Sequence, residues 1–194
     1  QRPDALVLGE VWEDASNKTA YGVRRRYLLG QQLDTVMNYP FRDAILGFLL
    51  GGDPRNFAET VESICENYPP QCLRLLMNHI GTHDTERALT ILGGEPAGNR
   101  GREWQAAQHL SPEHYGDEAG MEGYRDPFNR ACYPWGREGQ NLLTWYKGLG
   151  QLRAQEKGIL GQGSYRTLFA SGNLLAFERF VFTETTRESL TVVV

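Results

Sequence analysis

The sequence predicts an α/β fold with a parallel sheet, followed by a segment of antiparallel β structure. The first prediction depends on an alternation along the chain, in which short apolar runs end in polar residues and are followed by helical patterns. The second depends on the residues from 158 onward, where apolar and polar residues alternate around the turn signal Ser171-Gly172-Asn173.

Three apolar runs are the candidate strands of the parallel sheet. Residues 5–10 (A-L-V-L-G-E) lack a helical period, as expected of a strand that is buried on both faces. Residues 33–38 (L-D-T-V-M-N) are a second candidate, although Asp34 lies inside the run, and residues 73–77 (L-R-L-L-M) are a third. Polar residues follow all three runs, and in a closed β/α barrel this end of the strands carries the active site.

Helices are predicted between and after these strands. Residues 41–50 follow the breaker Pro40, and residues 54–65 place Phe57, Val61 and Ile64 at steps of three or four, which is the spacing of one helix face. Further along the chain we predict a short helix at residues 86–92, a long ordered loop at 125–139, a helix at 141–156 and a final strand at 190–194.

Composition limits the classes of protein to which this chain can belong. Its 194 residues are 40% hydrophobic, enough for one substantial core or two small ones, and the net charge of −4 provides no basic field for nucleic acid or an anionic membrane. No apolar run approaches the roughly 20 residues that span a bilayer. Three cysteines without metal-ligand spacing fit a reducing compartment, so we expect a soluble, cytoplasmic protein. Both chain ends resemble cuts in a longer protein.

Polar features follow the predicted strands at three places: Glu10 with Trp12, the segment N-Y-P-F at residues 38–41, and the pair His83-Asp84. Carboxylates, an imidazole and exposed aromatic rings in one cleft suit a sugar, because aromatic faces stack on pyranose rings and short polar side chains bind the hydroxyl groups. A structural alternative is open at this point. Glu10 can cap a helix or form an ion pair, and His83-Asp84 can cap the helix that follows.

Four ordered motifs carry a resemblance to a known family. They are G-E-V-W-E-D-A at residues 9–15, L-D-T-V-M-N-Y-P-F-R-D at 33–43, N-H-I-G-T-H-D-T-E-R at 78–87 and Y-G-D-E-A-G-M-E-G-Y-R-D-P-F-N-R at 115–130. Together they resemble the α-amylase family of glycoside hydrolases, and within it the branch of cyclomaltodextrinases, neopullulanases and maltogenic amylases. The second motif strengthens the assignment to that branch, because it resembles the branch's sixth-strand segment.

The resemblance implies catalytic and binding roles for residues at the strand ends. Glu10 matches the family's general acid/base at the end of the fifth barrel strand. Asp84, after the seventh strand, matches the acid that stabilises the oxocarbenium-like transition state. His83 matches its neighbour, which hydrogen-bonds hydroxyl groups of the sugar at the cleavage point, and Trp12 matches an aromatic residue on the leaving-group side of the cleft.

Two further matches and one departure concern the surroundings of this centre. Asp126 and Arg130 match an acid and a base that hold a glucose further into the non-reducing side, and a simple salt bridge within the loop is the alternative for this pair. Glu13 departs from the family pattern, because the branch usually has His after the tryptophan. A second carboxylate so close to Glu10 leaves the tuning of the acid an open question at this point.

The resemblance implies the C-terminal part of a (β/α)8 TIM barrel followed by a partial antiparallel β domain. We expect residues 1–157 to be the second half of the catalytic barrel, about strands 5–7, with the region of strand 8 missing near residues 110–115 through a deletion or an omitted segment. Residues 158–194 then begin the β domain. The family nucleophile, an Asp after the fourth strand with an Arg two residues before it, has no counterpart in this sequence.

These matches predict a fragment of a retaining hydrolase that cleaves α-1,4-glucosidic bonds in cyclodextrins, pullulan or maltooligosaccharides. Because the nucleophile is missing, we expect the isolated chain to be inactive. No metal or other cofactor is implied for these residues, since the family's calcium sites lie largely in the first half of the barrel. Exposed barrel edges predict a homo-oligomer or other self-association. The alternative function is non-catalytic, namely a fragment that binds glucan or serves a structural role.

Overall fold

The structure, a computed structural model, describes residues 2, 4–93 and 116–194. The predicted gap near residues 110–115 therefore lies outside the described residues. In chain order the elements are strands β1 (Leu8–Gly9), β2 (Thr19–Ala20), β3 (Val23–Arg24) and β4 (Thr35–Val36), helices α1 (Tyr39–Leu49), α2 (Pro54–Asn67), α3 (Pro70–Arg74) and α4 (Ala88–Ile91), a 3-10 turn (Asp117–Ala119), helices α5 (Gln140–Gln155) and α6 (Lys157–Gln162), and strands β5 (Ser164–Ser171), β6 (Leu174–Phe182) and β7 (Arg187–Val193).

Three segments of the chain run parallel to one another. β1 pairs in parallel with β4, and Met37, which follows β4, forms a parallel bridge with Met77. The first two predicted strands are therefore confirmed over shorter spans. Asp34 lies at the start of the second strand because its carboxylate accepts a hydrogen bond from Val7 N at 2.7 Å, while its own N–H donates to Val7 O at 2.9 Å.

The third predicted strand, at residues 73–77, is wrong over most of its length. α3 covers its first two residues, because Pro70 lies in the first turn of that helix and the fixed φ of proline favours a helical start. Only Met77 retains strand pairing, and its carbonyl accepts a hydrogen bond from Asn38 N at 2.9 Å. A helical turn has replaced the strand that the apolar run predicted.

The first predicted strand, of which β1 is the paired part, is more exposed than its apolar sequence predicts. Leu6, Val7 and Leu8 are 56%, 49% and 39% exposed. Within the described part of the chain, β4 is the one strand that pairs with β1. One edge of β1 consequently has no neighbouring strand there, and the expected burial on both faces is wrong for these residues.

α1 and α2 begin at capping residues that are visible in the sequence. Asn38 Oδ1 accepts a hydrogen bond from Phe41 N at 3.4 Å, and Asp53 Oδ1 accepts one from Arg55 N at 2.9 Å. A proline occupies the first turn of each helix, where no intrahelical N–H bond is lost. Both predicted helices are confirmed, as is the later helix α5.

α2 joins two hydrophobic clusters. Phe57 and Val61 pack with apolar residues of α1, α4 and β6, whereas Ile64 packs with residues around the parallel strands, so the predicted apolar face is confirmed. The first cluster also contains Ile45, Leu46, Leu49, Ile80, Ala88, Leu89, Leu92, Leu175 and Phe177, and the second contains Val11, Ala15, Leu28, Val36, Tyr68 and Cys72. Because β6 contributes to the first cluster, the antiparallel sheet shares a core with the helices.

The C-terminal sheet confirms the predicted antiparallel structure. Its strand order is β5-β6-β7, and Gly172 turns the first hairpin with φ of 60°, in the left-handed region that favours glycine. β structure begins at Ser164 and not at residue 158, because α6 comes first. Ile159 of that helix is 7% exposed, and Arg179 Nη2 donates to Gly163 O at the helix end. The division between residues 157 and 158 stays a prediction.

β2 and β3 form a hairpin that no sequence pattern above predicted. Its two turn residues, Tyr21 and Gly22, have φ of 55° and 74°. Positive φ at both central residues matches the right-handed twist of a two-residue hairpin. Tyr21 is 97% exposed. The residues predicted as a long loop at 125–139 form turns and bends without helix or strand, as expected.

Burial raises the pKa of several tyrosines, and Tyr39, Tyr68 and Tyr165 are three of them. Removal from water raises the pKa of Tyr39, Tyr68 and Tyr165 to about 12, from an ordinary value near 10. Each hydroxyl group also has a hydrogen-bond partner: Glu10 Oε1, the backbone N of Ala15 and Thr167 Oγ1, respectively. All three phenols are therefore neutral in the folded protein at physiological pH.

We predict that the protein loses stability between pH 10 and pH 12. A phenol whose pKa is raised by folding contributes stability that is complete below about pH 10 and is lost as the pH rises through about 12. Tyr39→Phe should remove about 2 to 3 kcal/mol of this loss, whereas Tyr21→Phe, at an exposed position, should leave it unchanged. Urea unfolding at a series of pH values measures the effect. An equal pH dependence in the wild type and both variants would contradict the prediction.

We further predict that the helices and the C-terminal sheet unfold together. Phe57→Ala should reduce the free energy of unfolding by about 3 to 5 kcal/mol, because the phenylalanine packs in the cluster that joins α1, α2, α4 and β6. Phe182→Ala is the control, since this side chain is 74% exposed. Far-ultraviolet circular dichroism and aromatic fluorescence should report one midpoint in each protein. Two separate transitions in the wild type would show that the shared core does not couple the two parts.

Candidate active site

Backbone pairing brings the ends of the three parallel segments to one edge of the fold. Met37 N donates to Gly9 O at 3.0 Å, and Asn38 N donates to Met77 O at 2.9 Å. The residue after Gly9 is Glu10, so the first candidate carboxylate leaves the sheet beside the start of α1. This is the edge at which β/α barrels assemble their active sites.

Tyr39, the first residue of α1, connects the side chains at this edge. Its hydroxyl group donates to Glu10 Oε1 at 3.0 Å. Its ring stacks on Trp12 with a centroid distance of 4.4 Å and an interplanar angle of 12°, and it meets His79 edge-on at 4.5 Å. Tyr39 is only 1% exposed while Trp12 is 49% exposed. The buried phenol therefore supports an exposed indole face and holds one oxygen of the Glu10 carboxylate.

Tyr39 also lies within electrostatic reach of Asp84. Burial is the largest cause of its raised pKa of about 12, and the charges of both Glu10 and Asp84 raise it further. The two carboxylates implied to be catalytic are thus near the same phenol, although 74 residues of sequence separate them. Tyr39, to which the family motifs assigned no role, hydrogen-bonds Glu10, and its pKa is raised by the charge of Asp84 as well.

Asp84 belongs to a second polar group, formed with His83, Asp126 and Arg130. His83 Nε2 lies 3.3 Å from Asp84 Oδ2, and Arg130 Nη2 donates to Asp84 Oδ1. Arg130 Nε donates to Asp126 Oδ1, and this bond is the largest cause of a raised Arg130 pKa. The predicted salt bridge within the loop is therefore present, and it extends to Asp84. One guanidinium group joins the loop to the predicted catalytic segment.

Buried hydrogen bonds hold that loop in place. Asn129 is fully buried, and its Nδ2 donates to the carbonyl oxygens of His83 at 2.8 Å and Thr85 at 2.9 Å. Arg87 Nη2 donates to Asn129 O at 2.7 Å, and Arg87 N donates to Gly123 O at 3.0 Å. These contacts were not predicted, because no local pattern shows which polar residues of the motif at 115–130 turn inward.

His79 lies beneath Tyr39 as a neutral residue. It is 1% exposed, and burial lowers the pKa of its imidazole. Its Nδ1 lies 3.2 Å from Met77 O, so the neutral ring carries its proton on Nδ1. His79 is therefore a packing partner of the aromatic pair, and His83 is the histidine beside the carboxylate.

Glu13, the departure from the family pattern, is paired with a lysine. Its carboxylate forms an ion pair with Lys18 Nζ, and this contact lowers the pKa of Glu13. Lys18 immediately precedes β2. The open question about this residue has a structural answer: the additional carboxylate is neutralised by the segment that leads into the hairpin.

The six predicted residues form two neighbouring groups. Glu10 and Trp12 are joined through Tyr39, and His83, Asp84, Asp126 and Arg130 are joined through Arg130. Two concavities of about 100 Å³ and about 480 Å³ lie elsewhere, and neither is lined by any of the six. The first group offers an exposed aromatic face and a carboxylate, and the second offers an arginine held by two carboxylates; both suit a sugar. The individual roles stay predictions.

The described residues contain neither a candidate metal site nor a candidate membrane-spanning helix. No group of three or more His, Cys, Asp or Glu side chains in residues 4–93 and 116–194 has the arrangement of a metal site. No helix in the described part of the chain is long and apolar enough to cross a membrane.

Comparison with known proteins gives a consistent group of relatives. A cyclomaltodextrinase from Thermoanaerobacter pseudethanolicus is 37% identical over 184 residues, covering 92% of this chain and 30% of the enzyme. Neopullulanase 2 from Thermoactinomyces vulgaris is 37% identical over 187 residues, with 92% of this chain and 30% of the enzyme covered. The crystal structure of a debranching enzyme from Nostoc punctiforme matches with a TM-score of 0.80 at 28% identity, over 98% of this chain and 41% of that chain.

No family model matches the sequence. The chain spans about 30% of the length of each of the two curated relatives. Both, however, align with 92% of it. Sequence motifs, sheet topology and relatives agree, and the chain belongs to the α-amylase family of glycoside hydrolases, in the branch of the cyclomaltodextrinases and neopullulanases.

Proposed function

We propose that this chain is part of a retaining glycoside hydrolase that cleaves α-1,4-glucosidic bonds, built on a (β/α)8 barrel. The observation that carries the proposal is the position of Tyr39, which hydrogen-bonds Glu10 and lies within electrostatic reach of Asp84. The parallel segments and their helices supply barrel strands five to seven. Identity of 37% to a cyclomaltodextrinase supports an α-glucan substrate.

Glu10 is the general acid and then the general base of the proposed reaction. It protonates the leaving oxygen as the glycosidic bond breaks, and it activates water after the sugar is transferred to a nucleophile about 5 to 5.5 Å away. The hydrogen bond from Tyr39 supports this role, because it orients the carboxyl group through Oε1 and leaves Oε2 toward the substrate. The nucleophilic Asp belongs to a part of the protein outside these residues.

Asp84 stabilises the positive charge that develops on the sugar ring. His83 beside it binds hydroxyl groups at the cleavage point, and Asp126 with Arg130 holds a glucose further into the non-reducing side. The contacts of Arg130 with both carboxylates support a single polar wall formed by these residues. We propose that hydroxyl groups of the bound glucan replace part of this ion-pair network.

Trp12 forms the leaving-group side of the cleft. Its exposed face is large enough to accept a pyranose ring, and the ring of Tyr39 behind it restricts the orientation of the indole. Cyclodextrins, pullulan and maltooligosaccharides are the proposed substrates. The debranching and cyclomaltodextrinase names of the relatives are compatible with all three.

Cellular location and association are further parts of the proposal. A cytoplasmic location is supported by the three cysteines, which form no disulfide in the described residues. Self-association of the isolated chain is supported by the exposed apolar residues 6–8 and by the edge of β1 that has no neighbouring strand among the described residues.

A non-catalytic glucan-binding role is the second candidate. It is favoured by one observation: Asp84 is occupied by Arg130 and His83, while the indole face of Trp12 is exposed. In this role the two polar groups bind sugar hydroxyls and Glu10 performs no proton transfer. Hydrolysis separates the two candidates, because binding without turnover is expected only for the second.

We predict that Glu10→Gln reduces hydrolysis of a nitrophenyl maltoside by a factor of about 10² to 10⁴ in the protein that joins this chain to the family nucleophile. Glu13→Gln, at a carboxylate paired with Lys18, should have little effect. The isolated 194-residue chain should release no nitrophenol. Steady-state rates of nitrophenol release and affinities for maltotetraose are measured for the wild type and both variants and compared.

Two results would contradict the catalytic proposal. One is unchanged hydrolysis in Glu10→Gln, and the other is an inactive joined protein that still binds maltotetraose and loses that binding in Trp12→Ala. The second result would establish the glucan-binding role instead. Phe182→Ala, at an exposed aromatic residue of the C-terminal sheet, controls for unspecific loss of aromatic surface.

We predict that the isolated chain self-associates through β1. Leu6→Lys should shift the sedimentation profile toward monomer, because a charge at the strand edge opposes pairing with another copy. Val23→Lys is the matched control, since this residue is 61% exposed but lies in the hairpin. A wild-type chain that sediments as a compact monomer at all concentrations would refute the prediction.

A further inference from the structure

A small polar cavity lies beside the β2–β3 hairpin, apart from the candidate active site. Its volume is about 100 Å³. It is lined by the segment after β1, the chain that leaves the hairpin and the end of α2, through Ala15, Ser16, Arg24, Arg25, Asn67 and neighbouring apolar residues. None of the six residues proposed for glucan hydrolysis borders it, so the proposed function leaves this cavity without a role.

Arg25 is the unusual residue of this cavity. It is half-buried, and its Nε is shielded from water without a hydrogen-bond partner. Within the described residues its guanidinium group makes no ion pair, and its ring contact is with Tyr21 at 5.7 Å. A shielded donor on a charged group is unfavourable unless something accepts from it. The cavity is therefore bordered by a cation that has no anionic partner within the described residues.

The acidic residues of the same segment have partners other than Arg25. Asp14 Oδ1 accepts from Ser16 N at 2.8 Å and from Ser16 Oγ at 2.6 Å, and Glu13 is paired with Lys18. Arg24 is a second cation that lines the cavity. Its side chain is held by a hydrogen bond from Nη2 to Ser16 O at 2.8 Å. Two arginines thus line the cavity, and the carboxylates of the neighbouring segment form hydrogen bonds or ion pairs with other residues.

The size and donors of the cavity select a compact oxyanion. A volume of about 100 Å³ exceeds the ~30 Å³ of one water about threefold. The guanidinium fork matches the oxygen spacing of phosphate and binds it through paired hydrogen bonds. We propose that this cavity is a phosphate-binding site, in which Arg25 is the principal donor and Arg24 the second. The phosphate is inorganic phosphate or the phosphate group of a sugar phosphate.

A purely structural role for the two arginines makes a different prediction. Cations near the C-terminal end of a helix interact favourably with its carbonyl groups, and Asn67 is the last residue of α2. In that case Arg25 variants lose stability, but phosphate has no effect on the wild type or the variants. Phosphate dependence therefore separates binding from helix stabilisation.

The test is a titration of the isotope-labelled 194-residue chain with sodium phosphate, at constant ionic strength set by sodium chloride, followed by backbone amide NMR. Saturable shifts are expected for the amides of Ser16 and residues 24–29. Arg25→Gln should weaken binding at least tenfold, and Arg25→Lys should weaken it less, since it keeps the charge and loses the fork. Arg55→Gln is the control, at an exposed arginine paired with Asp53.

Glucose 1-phosphate in a second titration distinguishes the two sources, because tighter binding than inorganic phosphate assigns a sugar phosphate and equal or weaker binding assigns the free ion. Shifts that do not saturate, or that persist unchanged in Arg25→Gln, would overturn the proposal. If Arg25→Gln does not fold, Arg24→Gln and Arg25→Lys give the decision, and undiminished phosphate binding in both would also overturn it.

Discussion

Parallel backbone pairing is the constraint on which the candidate site depends. Hydrogen bonds from Met37 N to Gly9 O and from Asn38 N to Met77 O align three chain segments so that they end at one edge. Glu10 and Tyr39 follow directly from two of those ends. A shift of one residue in this register would turn every following side chain to the opposite face. The positions of Glu10 and Tyr39 therefore depend on the pairing of two strands that are each two residues long.

The second constraint is the attachment of the 116–130 loop to the segment that bears Asp84. Fully buried Asn129 donates to His83 O, and the Arg87 side chain donates to Asn129 O. Arg130 then donates to the Asp84 carboxylate. Tyr39 hydrogen-bonds Glu10, and the negative charge of Asp84 contributes to the raised pKa of this phenol. The buried Tyr39 ring stacks on Trp12, and its hydroxyl group donates to Glu10. These two contacts restrict the positions of the exposed indole and of the carboxylate.

Local features of this fold were predictable and its long-range features were not. Pro40 and Pro54 predicted the approximate starts of two helices because the restricted φ of proline acts within its own turn. Phe57, Val61 and Ile64 predicted a buried face because spacing along a helix is also local. The predicted strand at residues 73–77 was wrong because Pro70 starts a helix that includes residues 73 and 74. The predicted burial of residues 5–10 was wrong because β1 has one neighbouring strand among the described residues. Family motifs identified Asp84 and Arg130, but their contact spans 46 residues and no sequence pattern indicated it.

A crystal structure of the protein with bound maltotetraose tests most directly whether Glu10 and Asp84 serve one glucan site. The account predicts a glucose ring stacked on the exposed face of Trp12 and an adjacent ring whose hydroxyl groups contact His83 and Asp84, with the connecting oxygen beside Glu10 Oε2. Maltotetraose bound elsewhere, with Trp12 and Asp84 free of sugar, would contradict it.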